Sequence, residues 1–233
     1  MSLSLNGTNQ HGTGPQVAPV NLGTVLFAFA PGFAITGNAT ARCFVDMITI
    51  SGVSRTFIRK TSSGRINVTV NSRSRNWDNL AEWTLDAWQW MMVRFKKSTD
   101  YIDLYLSGQV VPAGNAPSGT WGDGGGENET EFTVGAFQGG GSANVLGKIA
   151  WFSFYDGLVS DDDRTALFAG AHPSTISGWI DTWPLVSNAL ALNGSDPIVL
   201  SGSPSFDASN PTVSGPPRGS GNHLAAADSI ASF

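Results

Sequence analysis

The sequence predicts an all-β chain: an antiparallel β-sandwich with one short helix. Three observations carry this. Stretches of strict period-2 alternation recur, turns rich in Gly, Pro and Ser separate them, and aromatic residues are plentiful enough to fill a core. The 233 residues include 8 Trp, 13 Phe and 28 Gly, and 41% are hydrophobic. A disordered chain lacks that aromatic content. All-β sandwiches of this length form one unit, so residues 1–209 are expected to make a single domain, with 210–233 as an extended C-terminal arm.

The elements follow in order. Residues 2–5, 25–30, 42–50 and 55–60 read as strands. In Arg65-Ile-Asn-Val-Thr-Val-Asn71, Ile66, Val68 and Val70 share one side and polar residues the other, which marks a half-buried strand. Residues 88–95 form the next, and 96–99 connect it to Asp100-Tyr-Ile-Asp-Leu-Tyr-Leu-Ser107, where Ile102, Leu104 and Leu106 alternate with Asp103. Residues 131–137 are another. The strand at 148–155 is apolar on both faces, Ile149, Trp151 and Tyr155 against Ala150, Phe152 and Phe154, so it is expected at the centre of a sheet. Residues 180–185 and 198–201 close the set. The helix is expected near 161–169: Ser160 is a good N-cap, Asp161, Asp162 and Asp163 suit the positive end of the dipole, and Gly170 ends it. The three aspartates lack the alternating D-x-D-x-D-G spacing of a calcium loop, so they read as helix-start chemistry.

Charge and composition narrow the function. Thirteen Lys plus Arg against 18 Asp plus Glu give a net charge of −5, which argues against a nucleic-acid partner. One basic stretch, with Arg55, Arg59, Lys60, Arg65, Arg73 and Arg75, contains no acid. Its simplest reading is the outer face of two neighbouring strands, although it also suits an acidic partner or polyanionic sugar. No run approaches the 18 or so apolar residues of a membrane span, and the opening Met1-Ser-Leu-Ser-Leu-Asn6 has no leader character, so no membrane association or export is expected. The single cysteine, Cys43, allows no internal disulfide.

No catalytic set emerges. Glu127, Glu129 and Glu131 would share a face if extended, but they follow a glycine run and lack apolar residues between them, so a solvated strand entry is the simpler reading. His11, His172 and His223 fall in turns or the tail, and Cys43 has no ligand-spaced neighbour. No enzyme and no cofactor is expected; calcium, if bound, has Asp123, Glu127 and Asp156 as oxygen donors. Sugar binding needs an aromatic face plus carboxylate or amide groups. Trp77, Asp78 and Asn79, with Trp121 beyond, are the candidate glycan-binding residues.

Four phrases carry a family resemblance. They are Leu3-Ser-Leu-Asn-Gly-Thr-Asn-Gln10; Trp88 through Val93 to Leu104-Tyr-Leu-Ser-Gly108; Phe132-Thr-Val-Gly-Ala136; and Gly147-Lys-Ile-Ala-Trp-Phe-Ser-Phe-Tyr-Asp156 with Leu158-Val-Ser160. Together they resemble the concanavalin A-like, laminin-G-like jelly-roll superfamily, and Trp183-Pro-Leu185 with Gly202-Ser-Pro-Ser-Phe206 looks like the closing strands of phage and bacterial structural versions. The resemblance implies a jelly roll of two curved sheets, the concave one often carrying ligand. Its members include lectins, glycanases, adhesion modules and virion proteins, so it implies no single activity. The resulting expectation is a non-enzymatic virion structural protein, such as a tailed-phage capsid decoration, head-fibre or tail component. It would assemble in the host cytoplasm with other virion proteins or as a homo-oligomer. Its arm, through Pro216, Pro217, Ile230 and Phe233, would dock on a neighbouring subunit. The alternative is a carbohydrate-binding or adhesion module, and a polysaccharide-degrading enzyme comes third.

Overall fold

The computed structural model describes residues 2–15, 21–49, 55–121, 129–137, 143–185 and 188–213. The strands are β1 (Ser2–Asn6), β2 (His11–Pro15), β3 (Leu22–Pro31), β4 (Arg42–Thr49), β5 (Arg55–Lys60), β6 (Ile66–Val70) and β7 (Arg73–Trp77). They continue as β8 (Gln89–Lys96), β9 (Tyr101–Leu106), β10 (Glu129–Val134), β11 (Leu146–Asp156), β12 (Trp179–Trp183), β13 (Val199–Ser201) and β14 (Ser205–Asp207), with helix α1 at Asp161–Phe168. They form two antiparallel sheets packed as a sandwich. The first runs β14-β1-β11-β3-β8-β9, with β12 also on β11; the second runs β13-β2-β10-β4-β5-β6-β7. Among the described residues no helix is long and apolar enough to cross a membrane.

The core lies between the sheets. Val25, Phe27 and Phe29 of β3, Met91, Val93 and Phe95 of β8 and Ile102, Leu104 and Leu106 of β9 meet Phe44 of β4, Ile58 of β5, Ile66, Val68 and Val70 of β6 and Phe132 and Val134 of β10. The alternation read in the sequence is therefore the buried face of β6 and β9. Two strands escaped that reading. β2 is His-Gly-Thr-Gly-Pro, with glycines at its inward positions; a Cβ at Gly14 would overlap the Phe132 ring, so the aromatic fills the space from across the sheet. β7 carries arginines at its inward positions because it is a sheet edge: Arg75 Nη1 reaches across to donate to Ile102 O at 2.6 Å.

β11 is central, with both faces covered, as its two-sided apolar character implies. A bulge resets its alternation, however. Pairing with β3 slips between Ala150 and Ser153, and Trp151 adopts φ +53°. Ile149, Phe152 and Phe154 consequently face the core, while Trp151 and Tyr155 face the opposite side. There they join Leu26, Ala28, Trp90 and Met92 beneath α1, whose Leu167 is buried against them. Ser160 caps the helix by accepting from Asp163 N at 3.1 Å. Arg94 ties the start of the helix to the sheet, donating to Val159 O at 2.7 Å and pairing with Asp161 at 3.0 Å. The first sheet is thus covered on both faces. On the outer face of the second sheet, among the described residues, Phe57, Arg59, Ser74 and Asn76 are part-exposed, whereas Asp46 and Thr133 are buried.

At the C-terminal side, Pro211 is buried and Val213 packs beside α1. The arm residues Pro216, Pro217, Ile230 and Phe233 lie outside the described residues, as do Asp123, Glu127 and His223.

Candidate functional site

The residues expected to hold a glycan separate in space. Trp77 ends β7 pointing inward and is 0% exposed; the backbone of Gly114 covers its ring and the Arg75 guanidinium lies 5.4 Å from it. It offers no face to a sugar, which corrects the expectation: at this edge the inward position needs a large apolar group to seal the core. Trp121 lies at the far end of β7, roughly 13 Å away by strand geometry. Its ring packs partly buried against the core and its Nε1 donates to Asp100 Oδ1 at 2.7 Å. Asp78 and Asn79 do reach the surface. With Thr36, Ser63, Gly64 and Arg65 they line an open polar cleft of about 350 Å³. Glu82 holds one wall of it, accepting from Ile35 N and from Thr36 N at 2.9 Å and Thr36 Oγ1 at 2.5 Å. Burial alone would raise the Glu82 pKa; the hydrogen bonds from Thr36 and Ile35 outweigh it and hold the carboxyl below its ordinary value.

This cleft opens onto a longer feature. The inward positions of β5 and β6 carry core residues, so the alternate positions face outward. Register places Arg59, Asn67 and Asn76 side by side across β5, β6 and β7, and likewise Phe57, Thr69 and Ser74. These rows are hydrogen-bonded to each other's neighbours. Arg59 Nε donates to Asn67 Oδ1 at 3.2 Å, and Asn67 Nδ2 donates to Asn76 Oδ1 at 3.0 Å. The hydroxyls of Thr69 and Ser74 lie 2.6 Å apart. At the cleft, Asp78 takes Arg65 Nε at 2.5 Å on one oxygen and Asn115 Nδ2 at 2.7 Å on the other. At the opposite end Phe57 and Phe137 meet edge to face with centroids 5.5 Å apart. From the Arg65–Asp78 pair to the Phe57 row the lane spans about 13 Å. The Phe57 row continues in register through Asp46, Thr133 and Thr13, of which Asp46 and Thr133 are fully buried.

The basic stretch divides accordingly. Arg59 and Arg65 lie on this face, whereas Lys60 turns into the end of the sandwich and is fully buried, its Nζ donating to Asn38 O and to Thr40 O at 3.2 Å. Burial, then the charge of Arg42, push the Lys60 pKa down, and Glu82 opposes them. Of the glutamate run, Glu127 lies outside the described residues, and the backbone register with β4 slips between Glu129 and Glu131. His172 caps a short turn at residues 173–175 and packs its ring 5.5 Å from Trp151. Cys43 is buried, with Sγ 3.2 Å from Val45 O. Among the described residues no group of three His, Cys, Asp or Glu could hold a metal ion.

Sequence reasoning placed Arg59 only in the basic stretch and did not single out Phe57, Asn67, Asn76 and Phe137. Part of the signal was present: Asn67 occupies a non-core position of β6, whose alternation is legible, and Phe57 is an aromatic on the polar side of β5.

Arg73 binds Asp100 with two hydrogen bonds, Nε to Oδ1 at 2.7 Å and Nη2 to Oδ2 at 2.5 Å. Those bonds first, and the one from Trp121 second, hold the Asp100 carboxyl below its ordinary range. A carboxyl with a depressed folded pKa stabilises above its unfolded pKa, near 3.9, and loses that contribution as pH falls through the folded value. The Trp121 fluorescence, isolated as wild type minus Trp121→Phe, is therefore expected to stay constant from neutral pH to about 4 and to shift only below that. A shift centred near pH 6 would contradict the clamp.

A larger open groove of about 570 Å³ lies between α1 and the edge strand β9. Some of its polar groups are engaged: Arg164 pairs with Asp161 at 2.9 Å and lies 4.4 Å from the Tyr105 ring, and Tyr105 donates to Asp103 at 2.9 Å.

No family model matches the chain, and no curated protein matches it in sequence. Solved structures do match in shape. The heptameric SAP-like pentraxin from Limulus polyphemus superposes with a TM-score of 0.57 at 16% identity, over 85% of this chain and 93% of that one. A candidate carbohydrate-binding protein from Bacteroides ovatus gives 0.56 at 11% identity, over 90% of this chain and 62% of that one. At such identities the likeness speaks for the fold alone, and it agrees with the two antiparallel sheets and single helix described above. The fold of this chain is the concanavalin A-like jelly roll.

Proposed function

We propose that this chain is a carbohydrate-binding module that holds an extended glycan along the open face of its second sheet. One observation carries the reading. The face carries a lane of mutually hydrogen-bonded amides, hydroxyls and a guanidinium, in which Asn67 and Thr69 are buried and Phe57, Arg59, Ser74 and Asn76 part-exposed, ending in the Phe57–Phe137 pair and in the Asp78–Asn79 cleft. Polar groups fixed by neighbours meet sugar hydroxyls at low entropic cost, and an aromatic flank takes the apolar face of a pyranose. The likeness to the Bacteroides ovatus protein supports the same reading. The comparisons give no support to the virion structural role expected from the sequence, so the carbohydrate-binding alternative leads. In this role the chain binds without catalysing.

The test is affinity electrophoresis and a glycan array with the wild type, Phe57→Ala and Asn76→Ala. Wild type is expected to retain a polysaccharide, and each variant to bind it at least about tenfold more weakly, a loss near 1.4 kcal/mol. Equal binding by all three proteins would sink the assignment of this face.

A further inference from the structure

Arg59 occupies an unusual position among the arginines. Of those whose side chains are described, Arg65, Arg73, Arg94 and Arg164 each pair with an aspartate. Arg42 and Arg75 donate their terminal nitrogens to backbone carbonyls: Arg42 to Gly7 O at 2.9 Å and Asn144 O at 2.5 Å, Arg75 to Ile102 O at 2.6 Å. Arg59 alone in that set has neither. Its only described hydrogen bond is from Nε to Asn67, whose amide is held in turn by Asn76. The guanidinium carbon lies 4.7 Å from the Phe57 centroid and 5.7 Å from that of Phe137. The head group is therefore oriented and stacked, and both terminal nitrogens remain on the half-exposed face without an acceptor among the described residues. Asp46 and Glu131 lie on the same face, and none of the ion pairs among the described residues joins either of them to Arg59.

We infer that Arg59 makes this face selective for acidic glycans, with its free fork receiving the carboxylate of a uronic acid residue. The inference rests on the carbohydrate-binding reading above and names the substrate class of that site. A guanidinium presents two parallel N–H donors that match a carboxylate, and such charge-assisted pairs are about twice as strong as neutral ones. Pre-orientation by Asn67 and the two rings removes most of the ordering cost that a surface arginine carries on binding. The rings flank the same spot, so the ring C–H groups of the sugar bearing that carboxylate find an apolar wall beside the fork.

The experiment measures retention of the wild type on polygalacturonate, alginate, their methyl esters, neutral β-glucan and mannan, and dextran sulfate, at about 0.15 M salt so that diffuse charge effects are screened. Arg59→Gln and Arg59→Lys are run alongside, with thermal melts to verify folding. The expected result is binding to at least one uronate polymer that weakens about tenfold or more on methyl esterification and in Arg59→Gln, with partial recovery in Arg59→Lys. The ester comparison uses unaltered protein and stands whether or not a variant folds. Binding to neutral glycans that ignores esterification and Arg59→Gln overturns this inference while leaving the carbohydrate-binding function standing, and preference for dextran sulfate over both uronates also overturns it. Failure to bind any polysaccharide overturns the underlying function itself.

Discussion

Replacing Phe132 by alanine is expected to cost about 3–5 kcal/mol of folding stability, the largest single-site effect in the chain. Phe132 is 0% exposed and stands where the two sheets meet. Its ring lies 5.1 Å from Phe152, 5.2 Å from Phe154 and 5.0 Å from Trp183, all on the opposite sheet, and it fills the space left by Gly14 beside it. Truncation loses the transfer free energy of the ring and leaves a cavity that rigid strands on both sides cannot collapse. Phe132→Leu keeps most of the volume and is expected to cost much less, about 1–2 kcal/mol. Urea unfolding of both variants measures the difference. A Phe132→Ala loss no larger than that of Phe132→Leu would mean that the aromatic cluster does not join the sheets.

The second large effect is expected at Asp181, a carboxylate 0% exposed on β12. Its Oδ1 accepts from Thr182 N at 2.7 Å and Asn193 N at 2.8 Å, and its Oδ2 accepts from Ser195 N at 3.1 Å. One side chain thus fixes the turn at residues 192–195 against the strand, with Leu192 N on Thr182 O at 2.9 Å completing the join. Asp181→Ala removes the acceptor for several backbone donors at once, and orphaned buried donors cost their full desolvation penalty. We expect a loss of about 3 kcal/mol by urea unfolding. Asp181→Asn is expected to lose nearly as much, because its amide nitrogen faces at least one backbone N–H. A loss below about 1 kcal/mol for Asp181→Ala would show that solvent serves those donors equally well.

Much of this architecture was legible where local pattern and tertiary environment agree. Ile66, Val68 and Val70, and Ile102, Leu104 and Leu106, alternate because one face of their strands is buried and the other is not. The helix was legible for a local reason too: Ser160 and the three aspartates act within its first turn. What escaped depended on distant partners. β2 has no apolar signature, since Phe132 fills the volume that its side chains would otherwise occupy. β7 carries arginines because it is an edge, where Arg75 reaches across to the Ile102 carbonyl of the first sheet and Arg73 pairs with Asp100. The Trp151 bulge is invisible to a period-2 reading, which put Ile149 on the side of Trp151 and Tyr155, whereas the register slip places it with Phe152 and Phe154. The residues of the candidate site were legible only in part. Asp78 and Asn79 reach the surface and line a polar cleft, whereas Trp77 is buried, because an aromatic at an edge strand serves the core as readily as a ligand. Arg59 and Asn67 needed the register of three strands to be seen as neighbours.

The open face of the second sheet is the central claim, and amide chemical-shift mapping tests it most directly. Labelled protein would be titrated with the oligosaccharide that the array ranks highest. The account predicts saturable shifts at Phe57, Arg59, Asn67, Thr69, Asn76 and Phe137, extending to Asp78 and Asn79 as the oligosaccharide lengthens. Shifts confined to the groove between α1 and β9, around Arg164 and Phe168, would contradict it.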